Sequence, residues 1–255
     1  MCPLYAEVIA SQAQDAHERS LALIKDLSAE QLIGPLLATV NPLRWEVGHA
    51  AYFYEYWVLR QHTQQSPIRA DSDQLYDSIS IAHDDRWDLP LPSMPETYAY
   101  MQQVLDNIQQ CLTDGDDPLR DYLAQYAVFH QDMHNEAYTY TRQTLCYPTP
   151  SITQPKQKPS TAGGLSGDVQ IPGGNFMLGA DKQDGFVFDN EKWGHPVIIK
   201  PFSIARAAVS NADYLAFVEA GGYETEEFWD QQGWLWLEQS GLQHPVYWRK
   251  GTAGW

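Results

Sequence analysis

The apolar positions in the first part of the chain recur with the period of amphipathic helices. From residue 4 to about 27, Ala6, Ile9, Ala13, Ala16, Leu21, Ile24 and Leu27 predict a first helix. Ser28 and Gln31 follow at capping-box separation. Asn41-Pro42 reads as an N-cap with proline at the first helical position, opening a helix through about Arg60. On it Trp45, His49, Tyr52, Phe53 and Tyr56 share a face. Residues 61–94 read as a long, irregular, Asp-, Ser- and Pro-rich connection. Ser93, with Pro95 and Glu96 in the first turn, caps a third helix whose apolar face is Tyr98, Met101, Leu105, Ile108 and Leu112. Gly115 breaks it. Asp117-Pro118 starts a fourth, with Leu119, Leu123, Tyr126, His130, Met133, His134, Ala137 and Thr141 in one stripe. Four helices with short to moderate connections predict an antiparallel bundle.

The pattern then changes. Residues 148–167 hold four prolines and three glycines among Ser, Thr and Lys, and read as a linker. Val169-Gln170-Ile171 and Asn175-Phe176-Met177-Leu178, about Gly173-Gly174, predict two short strands, and Pro196 to Arg206 adds extended chain. Ser210 and Asp213 cap a short helix, Asn211 to Glu219, closed by Gly221-Gly222. The remainder, dense in Trp229, Trp234, Trp236, Trp248 and Trp255, ends without a closing element, as a truncated domain would. The expected organisation is a helical domain over 1–147, a linker over 148–167 and an incomplete α+β domain over 168–255.

Composition narrows the class. Hydrophobic residues at 44%, with nine Trp and fifteen Tyr, indicate a globular chain with aromatic-rich interior surfaces. A net charge of −17 disfavours nucleic acid and anionic membrane surfaces as partners. There is no long apolar run, and Met1-Cys2-Pro3-Leu4-Tyr5 lacks the basic start and apolar core of a signal peptide, so a cytoplasmic protein is expected. Cys2, Cys111 and Cys146 are far apart and odd in number, which fits reduced thiols.

The candidate chemistry sits in Phe129-His130-Gln131-Asp132-Met133-His134-Asn135-Glu136. Two histidines four apart lie about 40° from each other around a helix and can converge on one metal ion. With 8 histidines in 255 residues, chance alone gives about 0.25 such pairs, so the spacing needs support. His49, on the buried face of the second helix, supplies it as a third ligand; a histidine-rich core is the competing explanation. Glu136 lies about 240° around the helix from His130, which leaves it a role behind the ligands or at the surface. Gln131 stands where the glutamate of a His-Glu-x-x-His zincin would be. An all-histidine triad adds no charge and leaves three adjacent coordination positions open. His195 and His244 precede proline and read as packing residues, His17 and His62 as exposed, and His83, beside Arg86, as a candidate facing a cleft.

Together, Trp45-Glu46-Val47-Gly48-His49, His130-x-x-x-His134-x-Glu136, Ile171-Pro172-Gly173-Gly174, Phe188-Asp189-Asn190-Glu191, Val209-Ser210-Asn211 and Phe217-Val218-Glu219-Ala220-Gly221-Gly222-Tyr223 resemble the ergothioneine-synthase type of sulfoxide synthase. That resemblance implies an α + (α+β) fold: a DinB-like four-helix bundle, then a formylglycine-generating-enzyme-like (C-type-lectin-like) domain, present here in part. It implies that His49, His130 and His134 ligate a non-heme Fe(2+), which uses O2 to join a thiol sulfur to the imidazole carbon of hercynine, an Nα-trimethylated histidine. The family usually reads His-x-x-Gln-His where this chain has Met133. The loop Tyr76-Asp77-Ser78…Ala82-His83-Asp84-x-Arg86-Trp87-Asp88-Leu89-Pro90, the run from His134 to Leu145, and Phe186-Val187-Phe188 look more like the selenoneine-synthase branch, which makes a carbon–selenium bond from a selenosugar. Met133, Arg86, His83, Tyr52 and Glu136 are then expected around the substrate pocket, with Arg86 suited to a carboxylate. The family's catalytic residues are expected in the missing C-terminal part. A DinB-type metal-dependent thiol transferase and a truncated, non-catalytic metal-binding chain are the alternatives.

Overall fold

A computed structural model describes residues 5–152, 165–182, 185–252 and 254–255. Cys2 and most of the expected linker (153–164) lie outside the described residues. The chain divides into two compact units. One holds the helical region to residue 152 together with Leu178–His195; the other holds 165–177 and Pro196–Trp255.

The helical unit is built from α1 (Ala6–Ile24), α2 (Ala29–Ile33), α3 (Leu43–Tyr54), α4 (Ser72–Tyr76), α5 (Met94–Cys111) and α6 (Pro118–Thr144). α1 packs on α6 and α5, and α3 packs on α5 and α6, giving the four long helices one shared core. Ile9, Ile24, Leu43, Trp45, Leu59, Met101, Ile108 and Tyr138 are almost wholly buried there. Each such side chain contributes roughly 1.5–3 kcal/mol of transfer free energy.

Local chemistry starts most helices where the sequence places them. Ser28 and Gln31 form the capping box of α2, and Ser93 and Glu96 that of α5. The Asp117 carboxylate accepts from the backbone N–H groups of Leu119 and Arg120 at the start of α6. α3 differs. Pro42, not Asn41, is its N-cap residue, and no side chain caps it. Asn41 is turned to other partners: its amide donates to Glu46 Oε1 at 3.0 Å and its carbonyl accepts from Arg86 at 2.7 Å. The last part of the expected helix, Glu55–His62, is wound as a π-helix.

The connection over 61–94 is more ordered than its composition predicts. It contains α4 and a 3-10 turn at Asp84–Trp87. Backbone groups are its main fasteners: Arg44 donates to the carbonyls of Leu91 and Pro92, and Trp87 Nε1 to that of Gly34. The buried Glu55 carboxylate accepts from the Tyr100 hydroxyl and from the Ile68 N–H. Burial holds the Glu55 pKa up despite those bonds.

Three readings of burial need correction. The buried face of α6 shares only Ala137 and Thr141 with the expected stripe, whose Leu123, Tyr126, His130 and His134 are half-buried. It runs through Arg120, Ala124, Ala127, Val128, Gln131, Asn135, Tyr138 and Arg142, while Leu119 and Met133 are exposed. Gln131 and Asn135 are buried because α1 answers them: Gln131 donates to Ser20 Oγ, Ser20 to Asn135, and Asn135 to the Ala16 carbonyl. His17, expected at the surface, is 5% exposed, and burial lowers its pKa. His62 is half-buried, with Nε2 2.7 Å from Asp117.

The second unit carries β1 (Asp168–Ile171), β2 (Gly174–Leu178), β3 (His195–Ile199), β4 (Phe202–Ala205), α7 (Asn211–Glu219) and α8 (Gln231–Ser240). The two strands flanking Gly173 form but do not pair with each other. β1 runs antiparallel to β4, Asp168 opposite Ala205 and Ile171 opposite Phe202, and β2 pairs with β3. A Cβ on Gly173 would lie 2.7 Å from the Ile199 carbonyl oxygen, so the crossing there requires glycine. α7 has the Ser210–Asp213 capping box. α8, hidden in the Trp-rich stretch, is capped by Asp230 and closed by Gly241 in the left-handed conformation. No described helix is long and apolar enough to cross a membrane.

Candidate metal centre

The helical unit brings His49 from α3 together with His130 and His134 from α6. One potential ligand atom from each lies within 4.8 Å of the others. The ring centroids stand 5.1 Å (His49–His130), 5.0 Å (His49–His134) and 4.7 Å (His130–His134) apart. His49 Nδ1 is 2.8 Å from the Tyr76 carbonyl oxygen. A carbonyl only accepts, so Nδ1 carries the proton and Nε2 keeps a lone pair for a ligand.

Aromatic rings fix the imidazole planes. Trp45 stacks on His49 at 4.5 Å and 11°, and its Nε1 donates to the Leu75 carbonyl. The Arg86 guanidinium lies 4.1 Å above the Trp45 ring centre. Phe53 stacks on His130 at 3.8 Å and 12°, and meets Tyr126 edge-on. Phe186 and Phe188 cover Tyr126 and Phe129 on the outer side of α6. Lys192 and the Val187 carbonyl anchor that segment to the Tyr122 hydroxyl.

Burial, then the neighbouring His134, pulls His49 down to about 3. Burial likewise drives His130 far below the usual imidazole range, with His134 and His49 adding to it. Both rings are therefore neutral at pH 7, the state that binds metal. The buried Nδ1 of His130 has no hydrogen-bond partner. Three imidazoles around one point, two of them neutral and held in orientation by stacked rings, fit a borderline transition-metal ion such as iron, zinc or copper.

The same shifts set an acid limit for the metal-free protein. Below about pH 6.5 the unfolded chain protonates these imidazoles while the folded bundle keeps them neutral, so stability is complete above that pH and falls toward about pH 3. At pH 5, His49 alone accounts for a loss of about 2 kcal/mol relative to pH 7. Urea midpoints of the metal-free chain at the two pH values measure it; equal midpoints would contradict the burial assigned to the cluster.

The other sequence candidates are placed differently. Tyr52 does not turn its hydroxyl to the histidines: it donates to Asp73, which also binds Arg60 at 2.5 Å. His83 is not free to act in a cleft, since Nδ1 meets Asp84 at 2.7 Å and Nε2 the Val40 carbonyl at 2.8 Å. Arg86 reaches the site from the loop after α4, and its Nε is buried without a hydrogen-bond partner. Met133 and Glu136 are exposed on α6, Met133 one residue before a candidate ligand. Glu46 was not singled out by sequence. It is 1% exposed, and its Oε1 lies 3.5 Å from His134 Nδ1. An acidic residue three before His49, on the same side of the helix, is the signal that could have found it.

The described fold is thus a helical bundle carrying a three-histidine cluster, followed by a small-sheet α+β unit. The model of the DinB superfamily matches residues 12–138, and that of the sulfatase-modifying factor enzyme 1-like domain matches 153–252. A hercynine oxygenase of Mycolicibacterium smegmatis is 30% identical over 254 residues, 95% of this chain and 57% of the relative. One from Mycolicibacterium thermoresistibile is 29% identical over 246 residues, 94% of this chain and 54% of the relative. A formylglycine-generating enzyme of Thermomonospora curvata is 44% identical over 68 residues, covering 27% of this chain and 22% of that protein. The chain thus joins a region similar to the DinB superfamily to one similar to the sulfatase-modifying factor enzyme 1-like domain, and aligns over most of its length with hercynine oxygenases. It spans about half the length of the curated relatives it matches.

Proposed function

We propose that this chain is the metal-binding part of a non-heme Fe(2+), O2-dependent oxidoreductase that acts on hercynine, forming a carbon–selenium or carbon–sulfur bond at its imidazole ring. One observation carries the reading: His49, His130 and His134 converge in a chain that aligns over 95% of its length with a hercynine oxygenase. The activity belongs to the whole protein, whose relatives are nearly twice as long.

Iron bound there would supply the redox chemistry that lets O2 act as a four-electron oxidant. In the overall change the donor loses its S–H or Se–H hydrogen and the imidazole its C–H hydrogen. One oxygen atom joins the new sulfur or selenium centre, and the other leaves as water.

The residues of this chain position and shield. The three imidazoles would hold the ion by one side and leave the rest open to donor and O2. Trp45 and Phe53 lock two of the ligand rings and exclude water behind them. Arg86, a fixed cation one ring away from His49, would anchor a substrate carboxylate. Met133 would meet the substrate with an apolar, polarisable thioether where relatives of the ergothioneine branch carry glutamine. Together with the loop motif around Arg86, it favours the selenium branch and a selenosugar donor.

The test is O2 consumption by the whole protein, Fe(2+)-loaded, with hercynine and either a thiol or a selenosugar donor, and mass analysis of the product. Hercynine-dependent O2 uptake with the chalcogen on the imidazole is expected, faster with the selenium donor. Metal binding without any hercynine-dependent uptake would sink the reading, and donor-dependent conjugation without O2 would favour a DinB-type thiol transferase.

A further inference from the structure

The three candidate ligands are not equivalent, and the difference lies behind them. His49 donates its Nδ1–H to the Tyr76 backbone carbonyl. His130 has a bare Nδ1 and an apolar ring, Phe53, on its face. His134 faces a carboxylate. Glu46 is 1% exposed, on α3 one turn before His49, and its Oε1 is 3.5 Å from His134 Nδ1. That is longer than a made hydrogen bond, and both His134 Nδ1 and Glu46 Oε2 are buried without another hydrogen-bond partner.

A buried carboxylate is costly unless something holds it. Here Asn41 donates to Oε1 at 3.0 Å, and Arg86, which itself donates to Asn41, contributes a favourable charge. This explains why Asn41 is not used to cap α3. The arrangement runs Arg86–Asn41–Glu46–His134 and ends at a buried ring nitrogen with no hydrogen bond of its own.

We propose that Glu46 is the positioning residue of the metal centre: it fixes His134 with its proton on Nδ1, leaving Nε2 to ligate, and sets one negative charge behind a ligand set that is otherwise neutral. A cation held by Nε2 would make the Nδ1–H a stronger donor toward Oε1. Of the three, His134 alone would have a carboxylate behind its ring, whereas His49 has a carbonyl and the Nδ1 of His130 has no partner. The proposal rests on the three-histidine reading and adds to it the source of charge compensation. Carboxylates in this position typically change metal affinity 10–100-fold.

Metal titrations of the chain with Co(II), followed by its visible bands, test this. Wild type gives the reference affinity. Glu46→Gln keeps an acceptor but removes the charge, and roughly tenfold weaker binding with shifted bands is expected. Glu46→Ala removes both, and roughly 100-fold is expected. Metal-free melting of Glu46→Gln at or above wild type would separate this from a packing defect. Affinities and bands of both variants matching wild type would overturn the proposal. If neither variant folds, 15N-histidine NMR of the Zn(II)-loaded wild type decides: the proposal requires a protonated, hydrogen-bonded Nδ1 on His134, and Nδ1 as the metal-bound nitrogen overturns it. Failure of wild type itself to bind metal is a different result, which removes the three-histidine reading.

Discussion

Replacing His49 by alanine is expected to weaken Fe(2+) binding by about 100-fold or more while leaving the bundle folded. A four-ligand structural zinc site is worth roughly 10–16 kcal/mol, so one imidazole carries about 3 kcal/mol, or a factor near 10² in affinity. His130→Ala and His134→Ala should act in the same direction. Of the three, His134→Ala should cost most, because it also strands the Glu46 carboxylate. Equilibrium dialysis against Fe(2+) under anaerobic conditions measures the loss, and circular dichroism checks the fold. Loss of helical signal together with metal would mean that the histidines serve the core first, as a histidine-rich interior would.

The second large effect comes from a residue that touches no metal. Gly48→Ala should destabilise the helical unit by about 2 kcal/mol and lower metal affinity about tenfold. Glycine to alanine inside a helix normally gains about 1 kcal/mol. Here the added Cβ would stand 2.2 Å from the Tyr76 ring, which is fully buried and cannot swing away. Overpacking of this kind costs up to about 3 kcal/mol. Tyr76 also offers the carbonyl that orients His49, so displacing it loosens a ligand. A melting temperature lower by about 4–8 °C, with weaker Fe(2+) uptake, is the expected pair of results. A more stable variant would show that helix propensity prevails and that the close approach is not there.

These effects trace which parts of the molecule local sequence encodes. Helix starts were legible at Ser28, Ser93, Asp117 and Ser210, because a cap and its partner lie within three residues. The clustering of His49, His130 and His134 was legible because a helical pair and a third histidine on an apolar face need only periodicity. The buried face of α6 was not. Gln131 and Asn135 fall outside the apolar stripe, and their burial depends on α1, which supplies Ser20 and the Ala16 carbonyl, more than a hundred residues away in sequence. His17 was misread for the same reason. Strand pairing was illegible too: β1 finds its partner in β4, past two other strands, and a Gly turn next to β1 gave a misleading local cue. Glu46 was quoted within a motif yet given no role, since its meaning depends on Asn41, Arg86 and His134 arriving from three different segments.

The central claim is that His49, His130 and His134 form one metal centre. Anaerobic titration of the purified, metal-free chain with Fe(2+), beside the variant with all three histidines replaced by alanine, tests it most directly. The account predicts uptake of one ion per chain by the wild type and none by the triple variant. No uptake by the wild type, or equal uptake by both, would contradict it.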